Sequence, residues 1–301
     1  MDGIYQGFEL LSANYKTTAS TPINVDVLVP EGLEPGIHPT IVRFHGGGFT
    51  SGSSLHPDFF PRWLLELSIT LAAIIVTPNY RLLPESNAID ILEDMDDLWD
   101  WLTPGLDNLL GSSARPRVQA DLTRIMTVGE SAGGCLSMQF ALDHAQEGVR
   151  AAIAECAALD IRAVAAGAQQ NASATTSEKG EDCSGPPVIA DPSLSRFGMI
   201  DEIVQKGKLL DYFPNVERVH PIDRVRNGTH VPPLFLIHGL NDTVVPPIQS
   251  ERFAKEVLDQ NPHAQVHLEL QPGEHLMDVP LPLGHPWLTK GLELVKSAWL
   301  G

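Results

Sequence analysis

Residues 124–145 read RIMTVGESAGGCLSMQFALDHA, and the placement of one serine in that stretch decides the architecture. Arg124 to Val128 is a short, nearly continuous apolar run, the pattern of a strand buried on both faces. From Ala132 the pattern turns helical. Between the two, Gly129-Glu130-Ser131-Ala132-Gly133 fits G-x-S-x-G. A serine on so tight a strand-to-helix turn carries strained backbone angles. Glycines on either side let strand and helix approach, and the helix N-terminus beneath favours developing negative charge. The motif alone arises by chance in a Gly-rich chain; its strand-before, helix-after context gives it weight.

Working outward, strand-like and helix-like patterns alternate. The other strand-like runs are GFELLSANYK (7–16), INVDVLVP (23–30), TIVRFHG (40–46), AAIIVTPN (72–79), VRAAIAEC (149–156), PLFLIHG (233–239) and QVHLELQ (265–271). Amphipathic stretches lie at Pro57–Leu71, Ala88–Leu102, Ala132–Gln146, Pro247–Gln260 and Pro286–Leu300. Such alternation predicts the α/β class, with a mostly parallel central sheet flanked by helices on both faces. The first two strands have no helix between them and are expected to form an antiparallel edge. Residues 160–231 break the rhythm: a small, polar tract (165–187) precedes one helix-like piece, Ser193–Gly207. A stretch of that length without sheet pattern reads as a functional insertion. The expected organisation is one domain, residues 1–301, with a functional insertion at 160–231. No internal repeat is present.

Composition narrows the partners. The 301 residues are 43% hydrophobic and 19% charged, and 20 Lys plus Arg against 38 Asp plus Glu give 20 − 38 = −18. That sign repels phosphate backbones and anionic headgroups, which argues against nucleic-acid and membrane partners. Cys135, Cys156 and Cys183 are too sparse for a disulfide framework, and no CxxC suggests a metal site. The N-terminus lacks the basic-then-apolar run of a signal peptide, and Ile69–Val76 is too short to span a bilayer. A cytoplasmic protein with a small-molecule partner is expected; its oligomeric state is not legible.

A second motif, His45-Gly46-Gly47-Gly48, follows the strand TIVRF. Consecutive glycines at a strand end leave backbone N–H groups uncovered, free to stabilise an oxyanion. A serine nucleophile also needs a base and an acid to orient it. His275 lies in Pro272-Gly273-Glu274-His275, after the strand QVHLELQ, and Asp242 in the loop leaving PLFLIHG. Ser131, Asp242 and His275 follow the chain order expected for this sheet, each just past a strand C-terminus. Chemistry of this kind uses protein groups alone, so no cofactor and no metal are implied. Asp94, Asp96 and Asp97 read as a solvated helix face, and Cys135 as packed core. Sequons at Asn171 and Asn227 carry little weight without a signal peptide.

Taken together, HGGGF at 45–49, Tyr80-Arg81-Leu82-Leu83-Pro84-Glu85, GESAGG at 129–134, the Asp242 loop through Val245-Pro246 and the GEH containing His275 resemble the hormone-sensitive-lipase-like group of α/β-hydrolases, esterases marked by an HGGG loop. The likeness runs from about Gly7 to Leu300. It implies Ser131 as nucleophile, His275 as base, Asp242 as its orienter, and Gly46, Gly47 and Ala132 as backbone donors to the oxyanion. Glu130 resembles an acidic residue many members carry before the nucleophile, with no direct chemical step. In similar proteins the Tyr80–Glu85 stretch buttresses the site, Arg81 and Glu85 giving charged hydrogen bonds to loop backbone.

Members often begin with helices that form part of a cap, whereas strand-like sequence here starts at Gly7. The cap is therefore expected to come mainly from 160–231, over a more open pocket. Leu194, Phe197, Met199, Ile200, Ile203, Leu209, Leu210, Tyr212 and Phe213 are the insertion's large apolar residues, and some must pack it onto the sheet. The few left to line a groove predict hydrolysis of carboxylic esters with short acyl groups, acetyl to about hexanoyl, through an acyl-enzyme. An amide, formamide or thioester hydrolase of secondary metabolism is the alternative on the same triad. A non-catalytic small-molecule receptor is disfavoured, because no triad member is missing.

Overall fold

A computed structural model describes residues 3–114, 117–171 and 185–301. Every strand-like run forms a strand: β1 (Phe8–Thr18), β2 (Thr21–Pro30), β3 (Gly36–Phe44), β4 (Ile74–Pro78), β5 (Val118–Glu130), β6 (Val149–Glu155), β7 (Leu234–Gly239) and β8 (Val266–Gln271). They form one sheet in the order β1-β2-β4-β3-β5-β6-β7-β8. The β1–β2 and β2–β4 pairs are antiparallel, and every later pair is parallel. The expected antiparallel edge is thus present.

The helices are α1 (Arg62–Thr70), α2 (Ala88–Trp101), α3 (Asp107–Gly111), α4 (Ala132–His144), α5 (Ile161–Asn171), α6 (Met199–Gln205), α7 (Leu209–Tyr212), α8 (Pro221–Arg226), α9 (Ile248–Gln260) and α10 (Pro286–Leu300). Successive side chains of a strand point to opposite faces, so each central strand feeds two cores. Val76, Ala154, Leu234 and Leu236 pack with Leu98 of α2, Phe140 of α4 and Phe253 of α9. Ile75, Ile153, Phe235 and Ile237 pack with Trp63 and Leu67 of α1 and Leu292 and Trp299 of α10. This two-sided burial is why the strands read as continuous apolar runs. Helix α4 is buried at twelve of its thirteen residues, as a helix apolar all round must be. Helix α2 starts on a capping box: Asn87 accepts from Ile89 N and Asp90 N while the Asp90 carboxylate takes the Asn87 N–H, worth about 1 kcal/mol. Among the described residues, no helix is long and apolar enough to cross a membrane.

Between β6 and β7 the sequence reading expected one helix, around Ser193–Gly207. Among the described residues the structure has four, α5 to α8, with α6 inside the expected piece. Helix α5 is not legible in the sequence because, among its residues 161–167 whose burial is described, only Ile161 and Ala165 are buried apolar positions; residues 172–184 of the polar tract, Cys183 among them, lie outside the described residues. This segment is sewn to the loop after β3. Gly52 and Asp191 exchange backbone hydrogen bonds (3.1 and 2.7 Å), and Ser51 Oγ donates to Asp191 Oδ2 at 3.0 Å. Arg196 donates to Thr50 O (3.0 Å) and Leu83 O (2.7 Å) and pairs with Glu85.

Two sequence expectations are corrected here. Asp94 does not sit on a solvated face: it is fully buried, accepting from Arg81 N and Nε at 2.9 Å and pairing with Lys16 at 2.8 Å. Asp96 and Asp97 are half-exposed but ion-paired, to Arg218 and Lys16. Arg81 turns to the acids of α2, and Glu85 to Arg196 of the insertion. Partners from β1 and the insertion were invisible to a reading confined to α2.

Candidate active site

The β5–α4 turn holds Ser131 at φ 56°, ψ −119°, a left-handed conformation that costs a non-glycine residue energy. Its glycines allow it. A Cβ on Gly129 would lie 2.1 Å from Gly133 O, and one on Gly133 would lie 2.0 Å from Phe44 O. Only residues without a side chain fit so close an approach. Ser131 N donates to Glu155 O at 2.8 Å, fastening the turn to β6.

Asp242 leaves the end of β7 in a turn of its own making, its Oδ1 accepting from Val244 N (2.9 Å) and Val245 N (2.8 Å). Oδ2 faces His275 Nδ1 at 2.7 Å and His238 Nε2 at 3.3 Å. Burial opposes charge on this carboxyl, but the hydrogen bonds from His238 and His275, the His275 charge and the Val245 N–H outweigh it and hold Asp242 well below the usual carboxylate range. His238 is itself fixed by Ser250 Oγ (2.7 Å) and Val245 O (2.8 Å). His275, from the loop after β8, brings Nε2 to 2.9 Å from Ser131 Oγ. An ionised Asp242 accepts the Nδ1 proton and leaves Nε2 free to accept from the serine. Ser131, Asp242 and His275, delivered by the turns after β5, β7 and β8, thus form one hydrogen-bonded chain.

The glycine loop is placed differently from expectation. Gly46 N–H is committed to Glu130 Oε1 at 3.1 Å, so it is unavailable to a substrate. Gly47 (φ 114°) and Gly48 (φ 63°) turn the chain over the elbow, and no hydrogen bond among the described residues engages their N–H groups. Ala132, first residue of α4, carries one of the N–H groups that a helix start leaves unpaired. The loop is held from behind by Tyr80, whose hydroxyl donates to His45 O at 2.7 Å and whose ring stacks on His45 at 4.4 Å. Burial drives His45 down to about 3, so it stays neutral.

Sequence reasoning missed a buried charged cluster beneath the elbow. Arg43, Glu130, Glu155 and Asp278 are all at most 1% exposed. Arg43 pairs with Glu130, donates to Ser54 O (2.8 Å) and Phe59 O (2.9 Å), and lies 4.0 Å over the Phe60 ring. Asp278, three residues past His275, accepts from Trp63 Nε1 at 3.0 Å, whereas no hydrogen bond among the described residues reaches either buried carboxylate oxygen of Glu155. Burial raises Glu155 well above the ordinary glutamate value, with Asp278 and Glu130 adding to it and Arg43 opposing; burial likewise lifts Glu130 to about 7. A charge inside or at the end of an apolar strand, as in TIVRF, TVGE and AIAE, was the signal available. Cys135 is core, as expected, its thiol pushed up to about 12 by burial.

A cavity of about 280 Å³ opens at Ser131. Phe49, Ala158, Val244 and Val245 of the sheet-end loops line it with Ile161, Val164, Phe197, Ile200, Val204 and Leu209 of the insertion. Of the apolar residues singled out in the sequence, Phe197, Ile200 and Leu209 therefore face the cavity, while Ile203 and Phe213 are buried in packing. Ile161 and Val164 come from the helix that the sequence did not reveal.

Known hydrolases resemble this chain in sequence and in fold. A probable carboxylesterase, M8, of a Phoma species is 28% identical over 314 residues, covering 98% of each chain. A non-reducing polyketide synthase, Preu6, of Preussia isomera is 24% identical over 311 residues, covering 90% of this chain but 14% of that far longer one. The solved structure of esterase B from Lactobacillus Rhamnosis superposes with a TM-score of 0.62 at 19% identity, over 99% of this chain and 87% of that one. Residues 41–273 match the α/β-hydrolase fold family, with the HGGG loop, elbow and late histidine inside or beside that span. The chain belongs to the α/β-hydrolase fold family, in its hormone-sensitive-lipase-like group.

Proposed function

We propose that this carboxylesterase-type α/β hydrolase cleaves small carboxylic esters of short acyl chain through an acyl-enzyme on Ser131. The observation that carries the reading is the chain Asp242–His275–Ser131, with links of 2.7 and 2.9 Å. His275 takes the Ser131 proton as Oγ attacks the ester carbonyl. The N–H groups of Gly47, Gly48 and Ala132 receive the tetrahedral oxyanion, Gly48 standing where the sequence suggested Gly46. His275 then returns the proton to the leaving alcohol and activates the water that frees the acid. Asp242, held ionised, stabilises the imidazolium formed in both steps.

Residues 160–231 act as a cap, since α5, α6 and α7 wall the cavity above Ser131. At about 280 Å³ the cavity lies at the low end of small-molecule sites, roughly 300–1,000 Å³, which favours acetyl to about hexanoyl esters over long acyl chains. The test is kcat/KM across p-nitrophenyl esters of graded length, with an acyl thioester and an anilide alongside. A steady rise from acetate to palmitate overturns the size preference. The match of 90% of this chain to 14% of a polyketide synthase favours a second reading, a thioester or activated ester of secondary metabolism, which wins if simple esters are poor and the thioester is turned over well.

A further inference from the structure

Cys156 directly follows β6 in a left-handed conformation, φ 40°, and is 3% exposed. The reaction proposed above gives it nothing to do. Its Sγ nevertheless lies 4.0 Å from His275 Nε2, the nitrogen that faces Ser131. Cys156, Asp242 and His275 place ligand atoms within 4.8 Å of one another. Asp242 occupies the far nitrogen of the imidazole at 2.7 Å, which is how metal-binding histidines are commonly oriented by a carboxylate. We propose that Cys156 and His275 together bind a soft divalent cation of the zinc type, and that this cation inhibits the enzyme.

The geometry suits such an ion. Zinc bonds sulfur at about 2.3 Å and imidazole nitrogen at about 2.0–2.1 Å, so tetrahedral ligation spans roughly 3.6 Å between the two donors. The 4.0 Å gap closes with a side-chain shift of a few tenths of an ångström. Sulfur and nitrogen donors select zinc or cadmium over magnesium or calcium, which prefer oxygen. Ser131, which lines the cavity, lies 2.9 Å from Nε2, so the ion arrives from that side and displaces the serine hydrogen bond, and water completes its shell. On binding, the thiol proton leaves to solvent as the sulfur–metal bond forms, and the Nε2 lone pair passes to the metal. Nε2 can then no longer take the serine proton. The inhibition rests on the reading of His275 as base; the binding does not.

Zinc is titrated against esterase activity of the wild type, C156A, C156S and C135A, with magnesium as the hard-ion control. Zinc is expected to inhibit the wild type and C135A, a chelator to restore both, and magnesium to do nothing. C156A and C156S keep their uninhibited rate and need at least about tenfold more zinc, since removing even a partner of a metal ligand costs that much. In parallel, cadmium is added to wild type, S131A and C156A, and the ultraviolet thiolate-to-cadmium absorption is read. The band should appear in wild type and S131A and vanish in C156A. A band that survives C156A, or equal zinc inhibition of C156A and wild type, overturns the site. A normal band without loss of activity overturns the inhibition and, with it, the role of His275.

Discussion

Gly46 gives its backbone N–H to Glu130 Oε1 at 3.1 Å, while no hydrogen bond among the described residues engages the N–H groups of Gly47 and Gly48. Glu130 and Gly46 lie at the ends of neighbouring strands, β5 and β3, so the carboxylate ties loop to elbow from underneath. The same oxygen receives Arg43. Replacing Glu130 by Gln keeps an acceptor for Gly46 but leaves the buried guanidinium without its counter-charge. At pH 8, above the value of about 7 to which burial lifts Glu130, the expected result is a loss of about 3 kcal/mol in unfolding free energy by urea denaturation, with a smaller effect on kcat/KM. An unchanged urea midpoint would show that Arg43 has no need of this partner.

The proposed triad makes a graded forecast. Ser131→Ala and His275→Ala should each lower kcat by about 10⁴-fold or more, with Asp242→Asn less complete because the acid orients and stabilises while the histidine moves the proton. A labelled fluorophosphonate should attach to Ser131 in the wild type and to nothing in the alanine variant. Labelling at another serine would overturn the assignment.

Stability should respond to pH in two opposite windows. Glu155 and Glu130 are raised by burial, Glu130 to about 7, so the folded chain holds protons that the unfolded chain has already released above the ordinary glutamate value of 4.5. Stability therefore falls as pH rises through that interval, by up to about 1.4 kcal/mol per pH unit for each group. Glu155→Gln should flatten its share of the slope in urea midpoints between roughly pH 5 and 7. Asp242 is depressed, so its contribution is present above the unfolded aspartate value and is lost as pH falls below it. A wild type equally stable from acid to neutral pH would contradict both.

Arg196 binds the insertion to the site. It spans Thr50 O, Leu83 O and Glu85, and a Cβ on neighbouring Gly48 would lie 2.7 Å from Ile200 of the insertion. Arg196→Ala should loosen the wall that α6 presents to the cavity. The expected signature is a rise in KM of about tenfold, or 1.4 kcal/mol, with kcat changed less and longer acyl esters better tolerated. If KM and chain-length preference both stay as in the wild type, this junction does not shape the pocket.

What the sequence determined by itself is local. Strand and helix periods are written in successive residues, so all eight strands and helices α1, α2, α4, α9 and α10 were legible, as were the elbow and glycine loop, whose steric demands fall on adjacent positions. Chain order was enough to single out Asp242 and His275, because in a parallel sheet every strand delivers its following loop to the same edge. Only the tertiary structure decided which backbone groups remain free there. Gly46 and Gly47 are indistinguishable in sequence; Glu130 separates them by reaching across from another strand. Asp94 looks like any surface acid until Lys16 and Arg81 close over it. Helix α5 carries too few large side chains to announce itself, and its Ile161 and Val164 matter only because folding lays them over Ser131. Cys156 and His275 are 119 residues apart, and their proximity exists only because β6 and the loop after β8 end at one point. Side-chain partnerships across such separations depend on where the sheet ends each strand, and no local pattern of residues encodes that.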